Sequence, residues 1–355
     1  MKPALMDYIW CPYCHGALTL AADAARDGEI ETGNISCGDC GRTFPILRGI
    51  PRFIENIRSA DDLRKVYADS FGHQWTTYNW LRDEDPYEFQ TITDLTPQDL
   101  KGKSFLDAGC GGGRVARFVA PVAGAFFGMD FSIAVEKAAE LCKDVPNAHF
   151  VQCDINYNPF KPEQFDIVHS HGVIHHTRDT KETFDKLPPL VKPGGILYVA
   201  VFRKTFEPLQ WSDSVLRQTL NKLPISALDK VCDAMSYLNN IPRPAASVIK
   251  RFFWFSQQHT KEIRKCCLYD WYGPTYHHEH TVEEVINWFE RAGFEHPKYI
   301  NAWPYAPADE KYRVPTWKDS LRLGQLLGVI GTKVRRKSNF ADTGTAAERT
   351  AIPSN

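Results

Sequence analysis

Two sets of residues in this 355-residue chain have the types and spacing for chemistry. The first is SFLDAGCGGGR at 104–114, where a short apolar strand (Phe105, Leu106) runs into Gly109, Gly111 and Gly113 with Cys110 between them. A helical segment is expected over 115–122. Glycines belong where the backbone turns tightly and a ligand touches main-chain atoms, because a Cβ would block the approach. A second strand over 125–129 delivers Asp130, followed by Phe131, and a carboxylate there can accept hydrogen bonds from two ribose hydroxyls. This pattern predicts an adenosine-cofactor site at the carboxyl edge of a parallel sheet. The dinucleotide fingerprint is G-x-G-x-x-G opening a helix, but here Arg114 fills the third glycine position. Asp107 on the strand itself would repel a pyrophosphate and suits a ligand that carries an amino group and a sulfonium.

The second set is Cys11-Pro-Tyr-Cys14 with Cys37-Gly-Asp-Cys40, a paired C-x₂-C pattern. Each pair predicts a tight knuckle whose backbone amides stabilise thiolates, and two knuckles supply the tetrahedral Cys₄ set of a structural zinc site. Two redox-active or free thiol pairs are the alternative. Such a site has no open coordination position, so the metal holds the fold and performs no chemistry. A module of roughly 50 residues buries little core of its own, so metal binding would carry much of its stability.

The order Asp107-x-Gly109-x-Gly111-x-Gly113, then Asp130, resembles the class I S-adenosylmethionine-dependent methyltransferases, and further segments follow in the order of that family. Cys153-Asp154-Ile155 closes a third strand, where the resemblance implies an acid meeting the adenine amino group. FDIVHSHGVIHHT at 165–177 is similar to the fourth-strand motif lining the methionine end and the acceptor pocket. LVKPGGILYVAVF at 190–202 is similar to the turn into the fifth strand, and Gly331–Val334 to a closing antiparallel strand. FPILRGIPRF, after the cysteines, resembles the small zinc-ribbon proteins that partner RNA and protein methyltransferases. The resemblance implies S-adenosylmethionine as cofactor, held by Asp107, Gly109, Cys110, Gly111, Asp130, Phe131, Asp154, Ile155 and His171, with Trp75 or Tyr78 as a lid.

The elements that position these residues follow. The expected fold class is α/β: a Rossmann-like seven-stranded methyltransferase sheet with an N-terminal zinc ribbon and a helical cap insertion. The boundaries are 1–57 for the ribbon, 58–337 for the methyltransferase domain with an aromatic-rich cap inserted at about 203–280, and 338–355 for a disordered tail. Phe71, Trp75 and Tyr78 fall on one helical face, which either packs on the sheet or covers the cofactor. Thr281 and Glu284 predict a capping box opening a helix over 282–292 that Gly293 ends; a strand over 294–301 follows. The cap either encloses a small, partly apolar acceptor or serves as a dimerisation subdomain. Trp271, Tyr272 and His280 are candidate acceptor-binding residues at the return from the cap.

Four histidines, His169, His171, His175 and His176, lie in or after the fourth strand. Adjacent side chains diverge, so they cannot all converge on a metal, and His175 or His176 is the candidate general base or acceptor-orienting group. The run His277-His278-Glu279-His280 is expected to make surface or structural hydrogen bonds. A formal net charge of −1 gives no basic signature and no support for a nucleic-acid partner. No apolar run is long enough to span a membrane, and the N-terminus lacks a signal-peptide core. Ten cysteines fit metal ligation and buried thiols in a reducing cytoplasm. The expected partner is a small-molecule acceptor, with a homodimer as an option. An RNA base methyltransferase using the ribbon for recognition, and a non-catalytic cofactor-binding scaffold, are the alternative readings.

Overall fold

The computed structural model describes residues 1–54, 72–74, 77, 81–204, 207–249, 253–256, 260–302, 310–316 and 326–335. Trp75, Tyr78, Phe71 and the tail at 338–355 lie outside the described residues. Four antiparallel strands open the chain: β1 (Leu18–Arg26), β2 (Glu29–Cys37), β3 (Thr43–Leu47) and β4 (Ile50–Pro51). They form the ribbon.

The larger sheet contains β5 (Ser104–Ala108), β6 (Ala125–Asp130), β7 (Ala148–Gln152), β8 (Phe165–His171), β9 (Val191–Arg203), the two-residue β10 (Glu279–His280), β11 (Phe294–Asn301) and β12 (Leu326–Lys333). Its order is β11-β12-β9-β8-β5-β6-β7, with β10 alongside β9. The strands from β7 to β9 are parallel, and β12 runs antiparallel between β9 and β11. The seven expected strands are therefore joined by one short extra pairing. A parallel sheet covered on both faces needs nearly continuous apolar strands, and Phe105, Leu106 and Ala108 of β5 and Phe126, Phe127 and Met129 of β6 are all buried.

The segment after the glycines forms only one helical turn, Ala116–Val119, shorter than expected because Pro121 has no N–H to extend the ladder. The later helix Val282–Arg291 begins with its capping box: Glu284 N donates to Thr281 Oγ1 at 3.1 Å and Thr281 N to Glu284 Oε2 at 3.4 Å. Gly293 follows it at φ 81°.

Between β9 and β10 the chain builds its cap from helices Glu207–Leu220, Ile225–Met235, Arg243–Ile249 and Lys261–Tyr272. Leu228, Cys232, Phe255, Leu268, Trp271 and Tyr272 form a separate core, joined to the sheet through Phe202. Among the described residues the ribbon has no separate core. Leu5, Ile9, Phe44, Ile46 and Phe53 belong to one cluster with Phe127, Val151 and Phe160 of the large domain. Main-chain bonds tie the two together: Phe53 N donates to Gln152 O at 2.8 Å and Trp10 N to Pro159 O at 2.8 Å. Among the described residues no helix is long and apolar enough to cross a membrane.

Candidate cofactor cavity and zinc site

Strand order reverses direction between β5 and β8, and the loops after these two strands part to form a crevice, the usual ligand site of an open parallel sheet. Gly109 (φ 90°) approaches Val173 so closely that an added Cβ would stand 2.4 Å from its side chain. Only glycine fits there. The loop is anchored by Gly109 N and Cys110 N donating to Met129 O at 2.8 and 3.0 Å.

The resulting cavity has a volume of about 500 Å³. Of the residues singled out from sequence, Asp107, Gly109, Cys110, Gly111, Asp130, Phe131, Asp154, Ile155, His171 and His176 line it. Asp130 Oδ2 accepts from Gly111 N at 2.8 Å, and Oδ1 accepts from Ser132 N and Oγ at 2.8 and 2.7 Å. A carboxylate has about four acceptor positions, so three hold the loops and about one remains for a ligand, fewer than two ribose hydroxyls would use. Burial raises the carboxyl above its ordinary range despite these donors. Asp154 Oδ1 accepts from Asn156 N at 2.9 Å, which turns the chain so that Ile155, Asn156 and Tyr157 edge the cavity.

At the opposite end His169 Nδ1 lies 2.8 Å from Asp107 Oδ1, both side chains being buried. A carboxylate only accepts, so the proton lies on Nδ1. His169 thereby enters the site as the partner of Asp107, a role the strand pattern alone did not show. His171 Nδ1 lies 3.2 Å from the Tyr198 hydroxyl, and burial holds its pKa at about 3. Arg114, Ser132 and Tyr276 also line the cavity; no sequence pattern marked Ser132 or Tyr276.

The neighbouring histidines separate. His176 faces the cavity, and its Nδ1 donates to the Tyr276 carbonyl at 3.1 Å, leaving the lone pair on Nε2. Burial lowers its pKa to about 4. His175 does not line the cavity; it is fully buried against Phe202, ring centroids 4.0 Å apart.

Trp271 and Tyr272 do not line this cavity. Trp271 Nε1 donates to Asp213 Oδ2 at 2.9 Å and the Tyr272 hydroxyl to Asp213 Oδ1 at 3.1 Å, inside the cap core. Both aromatics carry a polar atom, and the buried carboxylate satisfies it. His280 is likewise outside the cavity, with Nδ1 3.0 Å from Glu284 Oε1 and its ring against Trp288.

The four ribbon cysteines converge: their Sγ atoms all lie within 4.8 Å of one another, with Cys11–Cys40 at 3.7 Å and Cys14–Cys37 at 3.4 Å. A tetrahedron of thiolates about 2.3 Å from zinc has edges of about 3.8 Å, so the set fits that ion. Two matching knuckles build it. Cys11 N donates to Gly16 O and His15 N to Cys11 O; Cys37 N donates to Arg42 O and Gly41 N to Cys37 O. His15 and Gly41 take left-handed φ values of 60° and 71° at equivalent positions. The Arg42 amide lowers the Cys40 thiol to about 6. Among the described residues this is the group of histidines, cysteines and acids placed to hold a metal; the histidines near β8 form none.

Residues 99–293 match the family described as a methyltransferase domain, and residues 2–49 match Trm112p-like proteins. Among curated proteins, the ubiquinone biosynthesis O-methyltransferase of Brucella ovis is 30% identical over 118 residues, covering 31% of this chain and 46% of that protein. The protein of the same name from Albidiferax ferrireducens is 24% identical over 193 residues, covering 52% and 69%. The chain spans about half the length of the first of these relatives. Among solved structures, the complex of the Haloferax volcanii Trm112 methyltransferase activator with a methyltransferase is 16% identical (TM-score 0.45), covering 78% of this chain and 99% of that one. Since the methyltransferase-domain match alone takes in over half of the sequence, the chain belongs to the class I S-adenosylmethionine-dependent methyltransferases and carries a Trm112p-like zinc ribbon at its N-terminus.

Proposed function

We propose that the protein transfers a methyl group from S-adenosylmethionine to the hydroxyl oxygen of a small molecule, with His176 as the group that accepts the acceptor's proton. The carrying observation is the His176 side chain: it lines the cavity with its Nδ1 proton committed to the Tyr276 carbonyl. That tautomer presents Nε2 as a base, and burial keeps the ring neutral at physiological pH. Bound in the crevice, the cofactor would supply an electrophilic methyl carbon. The chain's own residues supply alignment: Asp130 at the ribose, Asp154 and Ile155 at the adenine, Gly109 and Gly111 along the amino-acid arm, and Asp107 with His169 near its amino group. An oxygen acceptor is favoured over nitrogen or sulfur because a hydroxyl needs a base, and because relatives carry O-methyltransferase in their names.

The test is transfer of a labelled methyl group to a panel of phenols, aliphatic hydroxyls, amines and thiols. Turnover confined to hydroxyl compounds and lost in His176→Asn would support the reading. Turnover on thiols alone, or an undiminished variant, would remove the base, and cofactor binding without any turnover would leave a scaffold. An RNA substrate would instead reveal itself by affinity falling steeply with salt.

A further inference from the structure

Arg178 stands two residues beyond His176, and both line the cavity. Between them Thr177 is extended, with φ −89° and ψ 169°. In extended backbone alternate side chains project to the same side. The imidazole and the guanidinium therefore leave the chain in one direction, from Cα atoms about 6–7 Å apart. The backbone at this point is braced: Thr177 Oγ1 donates to Ile174 O at 2.7 Å, and Thr183 Oγ1 donates to Asp179 O at 2.9 Å.

Among the described residues Arg178 makes no hydrogen bond or ion pair, and it is exposed at the rim of the cavity. The acid next to it is committed elsewhere. Asp179 Oδ1 accepts from Glu182 N at 2.9 Å and so caps the helix Thr180–Phe184. Glu182 lies at the same rim but is exposed, where solvent and salt screen its charge. A guanidinium is charged at every working pH, and its planar fork fits a carboxylate. Asp130, Asp154 and the glycines, which serve the cofactor, follow β5, β6 and β7, whereas Arg178 follows β8 together with the base. An unpaired cation on the same side of the chain as the base therefore suits an anionic group of the molecule whose proton the base accepts.

We propose that Arg178 binds a carboxylate of the methyl acceptor, which makes the substrate class hydroxy acids: the hydroxyl faces His176 and the acid meets the guanidinium. Arg178 takes no part in the bond changes; it selects and orients the acceptor. This inference rests on the methyl-transfer reading above. The test pairs glycolate, 3-hydroxybutyrate and 4-hydroxyphenylacetate each with its own carboxamide. Each pair is compared by kcat/KM for labelled methyl transfer, and by calorimetry on protein loaded with S-adenosylhomocysteine. The acid should be preferred, and Arg178→Gln should cut the acid-to-amide ratio about tenfold, the lower end for a hydrogen bond to a charged group. Arg178→Lys should recover part of that ratio. Arg178→Glu should turn the preference round, favouring tyramine over 4-hydroxyphenylacetate, an exchange that a loosened fold cannot produce. A wild-type protein that binds none of the acids, or takes acids and amides equally, would overturn the assignment. So would an unchanged ratio in Arg178→Gln, or a loss there that is wholly a raised Kd for S-adenosylhomocysteine, which would give the guanidinium to the cofactor. Turnover of thiols alone, with no hydroxyl compound of either kind accepted, would overturn the hydroxyl reading itself.

Discussion

His175 and His176 share a peptide bond and little else. One ring is packed on Phe202 and the other borders the cavity with its tautomer set by Tyr276. His176→Asn should therefore lower turnover by ~10²–10⁴-fold and leave the cofactor Kd unchanged in calorimetry; equal loss in both would mark His176 as a packing residue. The pH profile is also fixed in direction. A base works only when neutral, and burial puts its pKa at about 4, so the acid limb should appear as pH falls toward 4. An unperturbed histidine near 6.5 would produce a limb about two and a half units higher. Asp130 has a double task, since its oxygens hold Gly111 and Ser132 as well as facing the cavity. Asp130→Ala should weaken cofactor binding by roughly 1.5–3 kcal/mol and also lower the thermal midpoint without ligand. A midpoint left unchanged would mean that the loops hold their shape without the carboxylate.

At the scale of elements, the parts legible in sequence were those written at fixed local offsets. The glycine loop, the acids closing β6 and β7, the capping box at Thr281 and the two cysteine pairs are all of this kind. What escaped depends on chain segments brought together from far apart. His169 meets Asp107 only because β8 pairs β5 in that register, 62 residues away. Trp271 and Tyr272 are aromatic at the right point of the chain, but the helix Lys261–Tyr272 turns them to Asp213, a carboxylate 58 and 59 positions earlier. The ribbon shows both sides: its metal ligands were readable, its seat was not. Its apolar residues share one core with Phe127 and Val151. Cys11→Ser combined with Cys37→Ser should abolish the expected stoichiometry of about one zinc per chain. It should also lower the melting temperature of the whole protein, because loosening the ribbon uncovers part of the central core. Zinc loss by elemental analysis with an unmoved melting curve would show that the ribbon is only tethered.

For the molecule as a whole, several histidines are buried in neutral form. Burial holds His149 and His176 at about 4 and also lowers the fully buried His175. In the unfolded chain each titrates near 6.5. The unfolded state therefore binds more protons below that pH, and stability present above pH 6.5 is lost as pH falls toward 4. Each such group is worth on the order of 1–3 kcal/mol, so together they make a steep acid limb. Denaturant titrations at pH 7.5, 6, 5 and 4.5, with metal content followed in parallel, should show the loss beginning near pH 6.5. A flat profile down to 4.5 with zinc retained would mean that these rings are solvated.

The ribbon's seat has a further consequence during synthesis. Its strands leave the ribosome before Val151 and Phe160, against which they pack and which emerge roughly a hundred residues later, on the order of 5–20 s at ordinary elongation rates. In that interval the ribbon has only its own strand ladder and the four thiolates with their metal to hold its shape, so zinc supply during translation bears on how much of the chain reaches its final form.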